Sequence, residues 1–205
     1  MRTHTALTQA ALDPKTALDV LVEGNERFQK NLKANRNLLQ QVNETSSGQF
    51  PFAAILSCID SRTSAELIFD QGLGDIFSIR IAGNFINDDI LGSMEFACLV
   101  AGSKLIVVLG HTNCGAITAA CQGPAEGYIG SLIENIRPAV EEAQQKNGNQ
   151  DNSDNFLNQV AAINVRLSIE HIRKKSSALA KLESSGKIGI AGALYDVKTG
   201  VVTFL

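Results

Sequence analysis

The chain holds 205 residues, 44% of them apolar and 19% charged, with a formal net charge of −3. That length suits one domain with a sizeable core, and the lack of a basic excess argues against a nucleic-acid or anionic-membrane partner, which needs cations to release counterions from phosphate. No apolar run approaches the ~20 residues a spanning helix requires, and Met1 to Ala11 is polar and threonine-rich, so the expectation is a soluble, cytoplasmic protein whose four cysteines stay reduced and serve metal binding or catalysis.

Residues 1–48 read as a helical arm on a single domain spanning residues 1–205. Asp13-Pro14 has the form of a helix start, with Asp as N-cap and Pro at the first helical position, where its missing N–H costs nothing. Leu18, Leu21, Val22, Asn25, Phe28 and Leu32 follow at helical spacing. This apolar stripe is fit to lie across the domain or across a neighbouring subunit. Residues 31–48 are polar with weak period, and Ser46-Ser47-Gly48 reads as the loop into the first strand.

The run from Ala53 to Ser57 is small, branched and apolar, and it ends in Cys58, Asp60 and Arg62. That is the pattern of a buried strand delivering reactive groups at its carboxyl edge. Thr63-Ser64-Ala65-Glu66 has the form of a capping box opening a short helix through Leu67, Ile68 and Phe69, with Gly72 and Gly74 ending it. Residues 75–82 form the second strand, closed by Gly83-Asn84. Asn87 or Asp88 caps a helix carrying Ile90 to Val100, which Gly102 stops. Residues 104–109 repeat the first strand's grammar and end in His111 and Cys114.

Gly115 to Cys121 forms a brief helix, broken at Gly123-Pro124. Ser131 to Gln145 and Asp154 to Lys175 are further helices, and the polar stretch from Lys146 to Asp154 between them is expected to be disordered. Lys187 to Val197 is a fourth strand, which Lys198-Thr199-Gly200 turns into Val201 to Phe204 as an antiparallel edge partner. Alternating strands and helices imply an α/β fold with a parallel sheet, helices on its faces, and ligands bound beyond the carboxyl ends of the strands.

Two strands ending in metal-type ligands point to one site made of Cys58, His111 and Cys114. Two thiolates and an imidazole suit zinc, and three protein ligands leave the fourth tetrahedral position open, as catalytic sites do. Taken singly, Cys58 reads as well as a small buried apolar residue, and His111 as a satisfied strand-end histidine; their joint placement favours the metal. Such a zinc is formally neutral and a weaker Lewis acid than zinc held by three imidazoles. Asp60 would accept a hydrogen bond from zinc-bound hydroxide and turn its lone pair toward an electrophile, while Arg62 clamps the carboxylate and keeps it ionised. The competing readings are an ordinary ion pair, or Asp60 as fourth ligand of a closed site in a non-catalytic zinc scaffold. Cys98 and Cys121 read as packing residues, Cys121 with the alternative of substituting as a ligand. His4 falls in a tail, and His171 on a solvated or interface face.

Cys58-x-Asp60-Ser61-Arg62 together with His111-x-x-Cys114-Gly115 resembles the β-class carbonic anhydrases. The similarity continues through Glu66 to Asp70, Gly74 to Phe77, Arg80, Ala82-Gly83-Asn84, Gly92 to Phe96 and Tyr195-Asp196-Val197-x-Thr199-Gly200. The resemblance implies a five-stranded sheet, four strands parallel and one antiparallel at the edge, and zinc-dependent interconversion of carbon dioxide and bicarbonate. It makes Cys58, His111 and Cys114 the zinc ligands and Asp60 and Arg62 the catalytic dyad. It further implies Gln49 as an active-site glutamine, Phe77 as an apolar wall of the carbon dioxide pocket, and Gly115 as a backbone contact to bicarbonate. Homodimers or higher multiples with N-terminal helices wrapped on the partner are expected, as is an exchange of Asp60 between Arg62 and zinc with pH. Ile55 stands where members that bind inhibitory bicarbonate carry Trp, Phe96 where some carry Tyr, and Thr63-Ser64-Ala65 replaces a Val-Pro-like segment. Hydrolysis of carbonyl sulfide or carbon disulfide, linear triatomics with an electrophilic carbon, is the alternative reaction.

Overall fold

The computed structural model describes residues 2–147 and 153–205. In chain order, α1 (Ala6–Ala10), α2 (Pro14–Gln29) and α3 (Leu38–Thr45) precede β1 (Ala53–Ser57), α4 (Ala65–Ile68) and β2 (Ile76–Arg80). Then come α5 (Asp88–Glu95), which runs on into a π-helical turn at Phe96–Val100, β3 (Leu105–His111), α6 (Gly115–Gln122), α7 (Gly127–Glu134) and α8 (Arg137–Asn147). The chain closes with α9 (Asp154–Lys175), α10 (Ser177–Ser184), β4 (Gly189–Tyr195) and β5 (Val202–Phe204).

The strands form one sheet in the order β2-β1-β3-β4-β5, parallel except for the antiparallel β4–β5 pair. Every residue of β1 and β3 is buried. Central parallel strands are covered on both faces, which is why their sequences read as unbroken apolar runs. One face packs Ala53, Ile55, Leu105, Val107 and Leu109 against Ala17 and Leu21 of α2 and Ala65 and Ile68 of α4. On the other, Leu56, Ile106 and Val108 meet Met94, Val165, Ile169 and Ile172. With β1 and β3 adjacent and parallel in register, Ser57 opposite Leu109, the segments following both strands emerge at one edge.

The arm folds onto its own domain. Ala17 and Leu21 have no exposed surface, and Gly24 of α2 approaches α4 so closely that a Cβ there would lie 1.8 Å from the Phe69 carbonyl oxygen. Asp70, only 6% exposed, takes hydrogen bonds from Arg27 Nε at 2.6 Å, Arg36 Nη1 at 2.5 Å and the Ala34 amide at 3.1 Å. This ties the segment after α2 to the end of α4.

Several local expectations differ from the structure. The segment read as a tail contains α1, which carries a Thr5–Thr8 capping box and docks through the buried Gln9, whose amide donates to the Pro51 and Ala101 carbonyls at 2.7 and 2.8 Å. Residues 38–45, where the weak period predicts no separate helix, form α3; Asn37 caps it, and Gln41 is buried against Gly72 and Leu73. The stretch read as one helix from Ser131 to Gln145 is two, α7 and α8. The Thr63 capping box does not form: Ser64 is the N-cap without a side-chain bond, and the Thr63 hydroxyl instead donates to the Cys58 and Asp60 carbonyls. Of the expected disordered stretch, Lys146, Asn147 and Asp154 lie in helices and Ser153 caps α9, while residues 148–152 fall outside the described residues. Among the described residues no helix is long and apolar enough to cross a membrane.

Candidate metal centre

β1 ends one residue before Cys58, β3 ends on His111, and Cys114 is the N-cap of α6. The two sulfurs and an imidazole nitrogen lie within 4.8 Å of one another, and all three residues are buried. Sulfurs each ~2.3 Å from a tetrahedral zinc sit about 3.8 Å apart; Cys58 Sγ and Cys114 Sγ are 3.9 Å apart. His111 Nδ1 is 2.9 Å from the Thr112 carbonyl, which can only accept, so Nδ1 carries the hydrogen. Its Nε2 is buried with no hydrogen-bond partner. A buried polar atom without a partner asks for an explanation, and a metal facing two sulfurs supplies one.

The surroundings favour negative charge on sulfur. Hydrogen bonding from Cys114 is the largest influence on Cys58, and with the Gly83 amide it outweighs burial and lowers that thiol. Cys114 is raised by the same contact and by burial, although the amides of Ile117 and Ala116 at the start of α6 pull it down. The contact between the two thiols thus eases loss of a proton from the pair. Gly83 donates its amide to Cys58 Sγ at 3.3 Å. It does so at φ +78, where a Cβ would also lie 2.4 Å from Ile136 Cδ1, so glycine is favoured. Asn164 of α9 fixes this loop by donating to the Gly83 carbonyl at 2.8 Å.

Asp60 lies outside the ligand cluster, engaged with Arg62. Arg62 Nε and Nη2 donate to its two carboxylate oxygens at 2.9 and 2.7 Å, and the Arg62 amide adds a third bond at 2.9 Å. These contacts hold Asp60 well below the usual carboxylate range against burial. Arg62 Nη2 also donates to the Asn113 carbonyl at 3.2 Å, joining the Cys58 and Cys114 loops. Asn113 reaches that geometry at φ +54, a left-handed position that Asn tolerates.

Gly115, the first residue of α6, lies beside the cluster with open space at its Cα. Gln49 and Phe77 are not brought to it. Gln49 is exposed before β1, at the amino edge of the sheet; β1 separates it from Cys58 by about 17 Å at ~3.3 Å per residue. Phe77 lies on β2, in a groove with Ile79, Arg80 and Phe96 that includes none of the three ligands. Cys98 and Cys121 pack in apolar clusters, and burial raises both thiols, Cys98 to about 12. Sequence reasoning missed the contributions of Gly83 and Thr112. Gly83 read only as a strand-closing turn, and a carbonyl acceptor carries no side-chain signature.

A family model described as Carbonic anhydrase matches residues 53–202. Carbonic anhydrase 2 of Mycobacterium tuberculosis is 35% identical over 196 residues, covering 92% of this chain and 91% of its own length. Among solved structures, the β-carbonic anhydrase CafA of Aspergillus fumigatus superposes with a TM-score of 0.74 at 25% identity, over 93% of this chain and 89% of its own. A tetrameric β-carbonic anhydrase from Sordaria macrospora has the same fold, with a TM-score of 0.74 at 18% identity over 93% of this chain and 94% of its own.

Proposed function

The chain belongs to the carbonic anhydrase family, in its β class, and from that premise we propose that it interconverts carbon dioxide and bicarbonate with a zinc ion held by Cys58, His111 and Cys114. The observation that carries this reading is the convergence, among the described residues, of three ligand atoms, with Asp60 turned away onto Arg62. Three ligands leave one tetrahedral vertex for chemistry. Zinc, when bound, supplies the Lewis acidity that brings water's pKa near neutrality.

The chain's own residues do the rest. Asp60, kept ionised by Arg62, only accepts hydrogen bonds; it takes one from the attacking oxygen and turns that oxygen's lone pair toward carbon. The amide of Gly115, at the first turn of α6, is free to meet a bicarbonate oxygen. Since Gln49 stands at the far end of its own β1, we assign it, with Phe77, to the site of a second copy. That arrangement makes the working unit a homo-oligomer. Its contact surface is the unpaired outer edge of β2 with the neighbouring Phe96, Leu99 and Val100, which are 56%, 51% and 70% exposed. Four free cysteines, all buried, fit a reducing cytoplasmic setting.

Zinc content and carbon dioxide hydration measured on one sample test the proposal, with carbonyl sulfide hydrolysis assayed beside them. About one zinc per chain and rapid hydration are expected, both lost to a strong chelator. Full zinc without hydration would instead support the scaffold reading, and preference for carbonyl sulfide the alternative reaction.

A further inference from the structure

The segment Tyr195-Asp196-Val197 has no task in the chemistry above, yet it is bonded to the residue that orients His111. The imidazole donates not to a carboxylate but to the carbonyl of the next residue, Thr112. A backbone acceptor is only as fixed as the residue that carries it, and three bonds hold Thr112 from outside β3. The Thr112 amide donates to the Tyr195 carbonyl at 2.9 Å. The Thr112 hydroxyl donates to Asp196 Oδ1 at 3.3 Å and accepts from the Val197 amide at 3.1 Å. Asp196 Oδ1 is itself held by the Lys198 amide at 2.8 Å, and the turn closes by bonds of Asp196 N to Val201 O and Gly200 N to Asp196 O, both 2.8 Å.

We propose that Thr112 and Asp196 are positioning residues for the metal: through the Thr112 carbonyl, the β4–β5 turn sets the ring of His111 so that its Nε2 faces the two sulfurs. This rests on the reading of Cys58, His111 and Cys114 as metal ligands. Groups that orient a ligating histidine from behind typically change metal affinity or activity by about 10- to 100-fold when removed. Here the last element of the fold carries that task, and the hydroxyl of Thr112 is the joint. Both side-chain bonds are made by the hydroxyl, which Ser keeps and Val lacks.

The test is zinc affinity, measured by competition with a chromophoric chelator on metal-free wild type, Thr112→Val, Thr112→Ser and Asp196→Ala, with each metal-free protein's denaturant midpoint taken alongside. Thr112→Val and Asp196→Ala are expected to bind zinc about 10- to 100-fold more weakly, and Thr112→Ser to bind as wild type does. Asp196→Ala, in the partly exposed turn, supplies the result should Thr112→Val not fold. Variants with lowered midpoints but unchanged zinc affinity overturn the inference, because the turn would then only stabilise the fold. Equal weakening in Thr112→Ser and Thr112→Val overturns the hydroxyl's role. A wild-type chain that takes up no zinc overturns the metal reading itself, and the inference with it.

Discussion

Asp60 receives three hydrogen bonds from one residue, Arg62, and its side chain is only 17% exposed. A carboxylate so held stays ionised and oriented, and in the proposed mechanism it accepts from the oxygen that attacks carbon dioxide. Asp60→Asn keeps the shape and removes the charge, and replaces an acceptor by a possible donor. The expected outcome is unchanged zinc content with hydration lowered about 100-fold, the scale of losing one group aimed at the reacting oxygen. Stopped-flow hydration beside metal analysis checks it, and wild-type turnover in the variant would remove Asp60 from the mechanism. Gly83 makes a second residue-scale prediction. Its φ of +78 strains any L side chain, and a Cβ would also push Ile136 Cδ1, 2.4 Å away, so Gly83→Ala should displace the amide that donates to Cys58. Weaker zinc binding by the variant is the expected readout; affinity equal to wild type would mean the amide is dispensable.

At the scale of elements, the Asp70 lock between α2 and α4 carries a pH-dependent share of stability. Burial pushes its carboxyl up, but Arg27, the Ala34 amide and Arg36 together outweigh burial and hold it low. The unfolded chain therefore takes up this proton more readily than the folded one. The contribution is full above the unfolded value of ~3.9 and fades as pH falls below it. Asp70→Asn should lose about 3 to 5 kcal/mol at neutral pH, since it removes the buried negative charge that Arg27 and the buried Arg36 both face. It should also flatten the acid limb of the stability curve; a denaturant series across pH measures both, and an acid limb as steep as wild type's would place the titrating group elsewhere. Sequence patterns made the central strands legible because β1 and β3 are buried on both faces, whereas of the stripe read on α2 only Leu21 and Asn25 are buried, with Val22 and Leu32 exposed and Ala17 and Gly24 buried in their place. They failed where stability comes from tertiary contacts: α1 is held by Gln9 and α3 by Gln41, polar residues that no apolar period reveals. The candidate ligands Cys58, His111 and Cys114 were legible for a related reason, since strand ends in a parallel sheet place side chains predictably. Gly83 and the Thr112 carbonyl act through the backbone and left no such mark.

For the whole molecule, a Gln49 proposed to serve a second copy's site has a consequence for mixed oligomers. Sheet order places β2 at one edge, with apolar Phe96, Leu99 and Val100 exposed beside it, and leaves Gln49 at the edge opposite the ligands. A two-fold interface over this patch would give each site three ligands from one copy and Gln49 from the other. Two inactive or weakened variants then complement each other. In a mixed dimer of His111→Ala and Gln49→Ala, one site carries both faults and the other carries neither. Refolding the two together at equal ratio should therefore recover about a quarter of the wild-type sites, because half of the dimers are mixed and each holds one intact site. Phe96→Glu should abolish that recovery by placing charge in the contact, and sedimentation should show the dimer dissociating with it. Recovery no greater than the average of the separate variants would return Gln49 to its own chain, and the observed fold would then have no place for it at the metal.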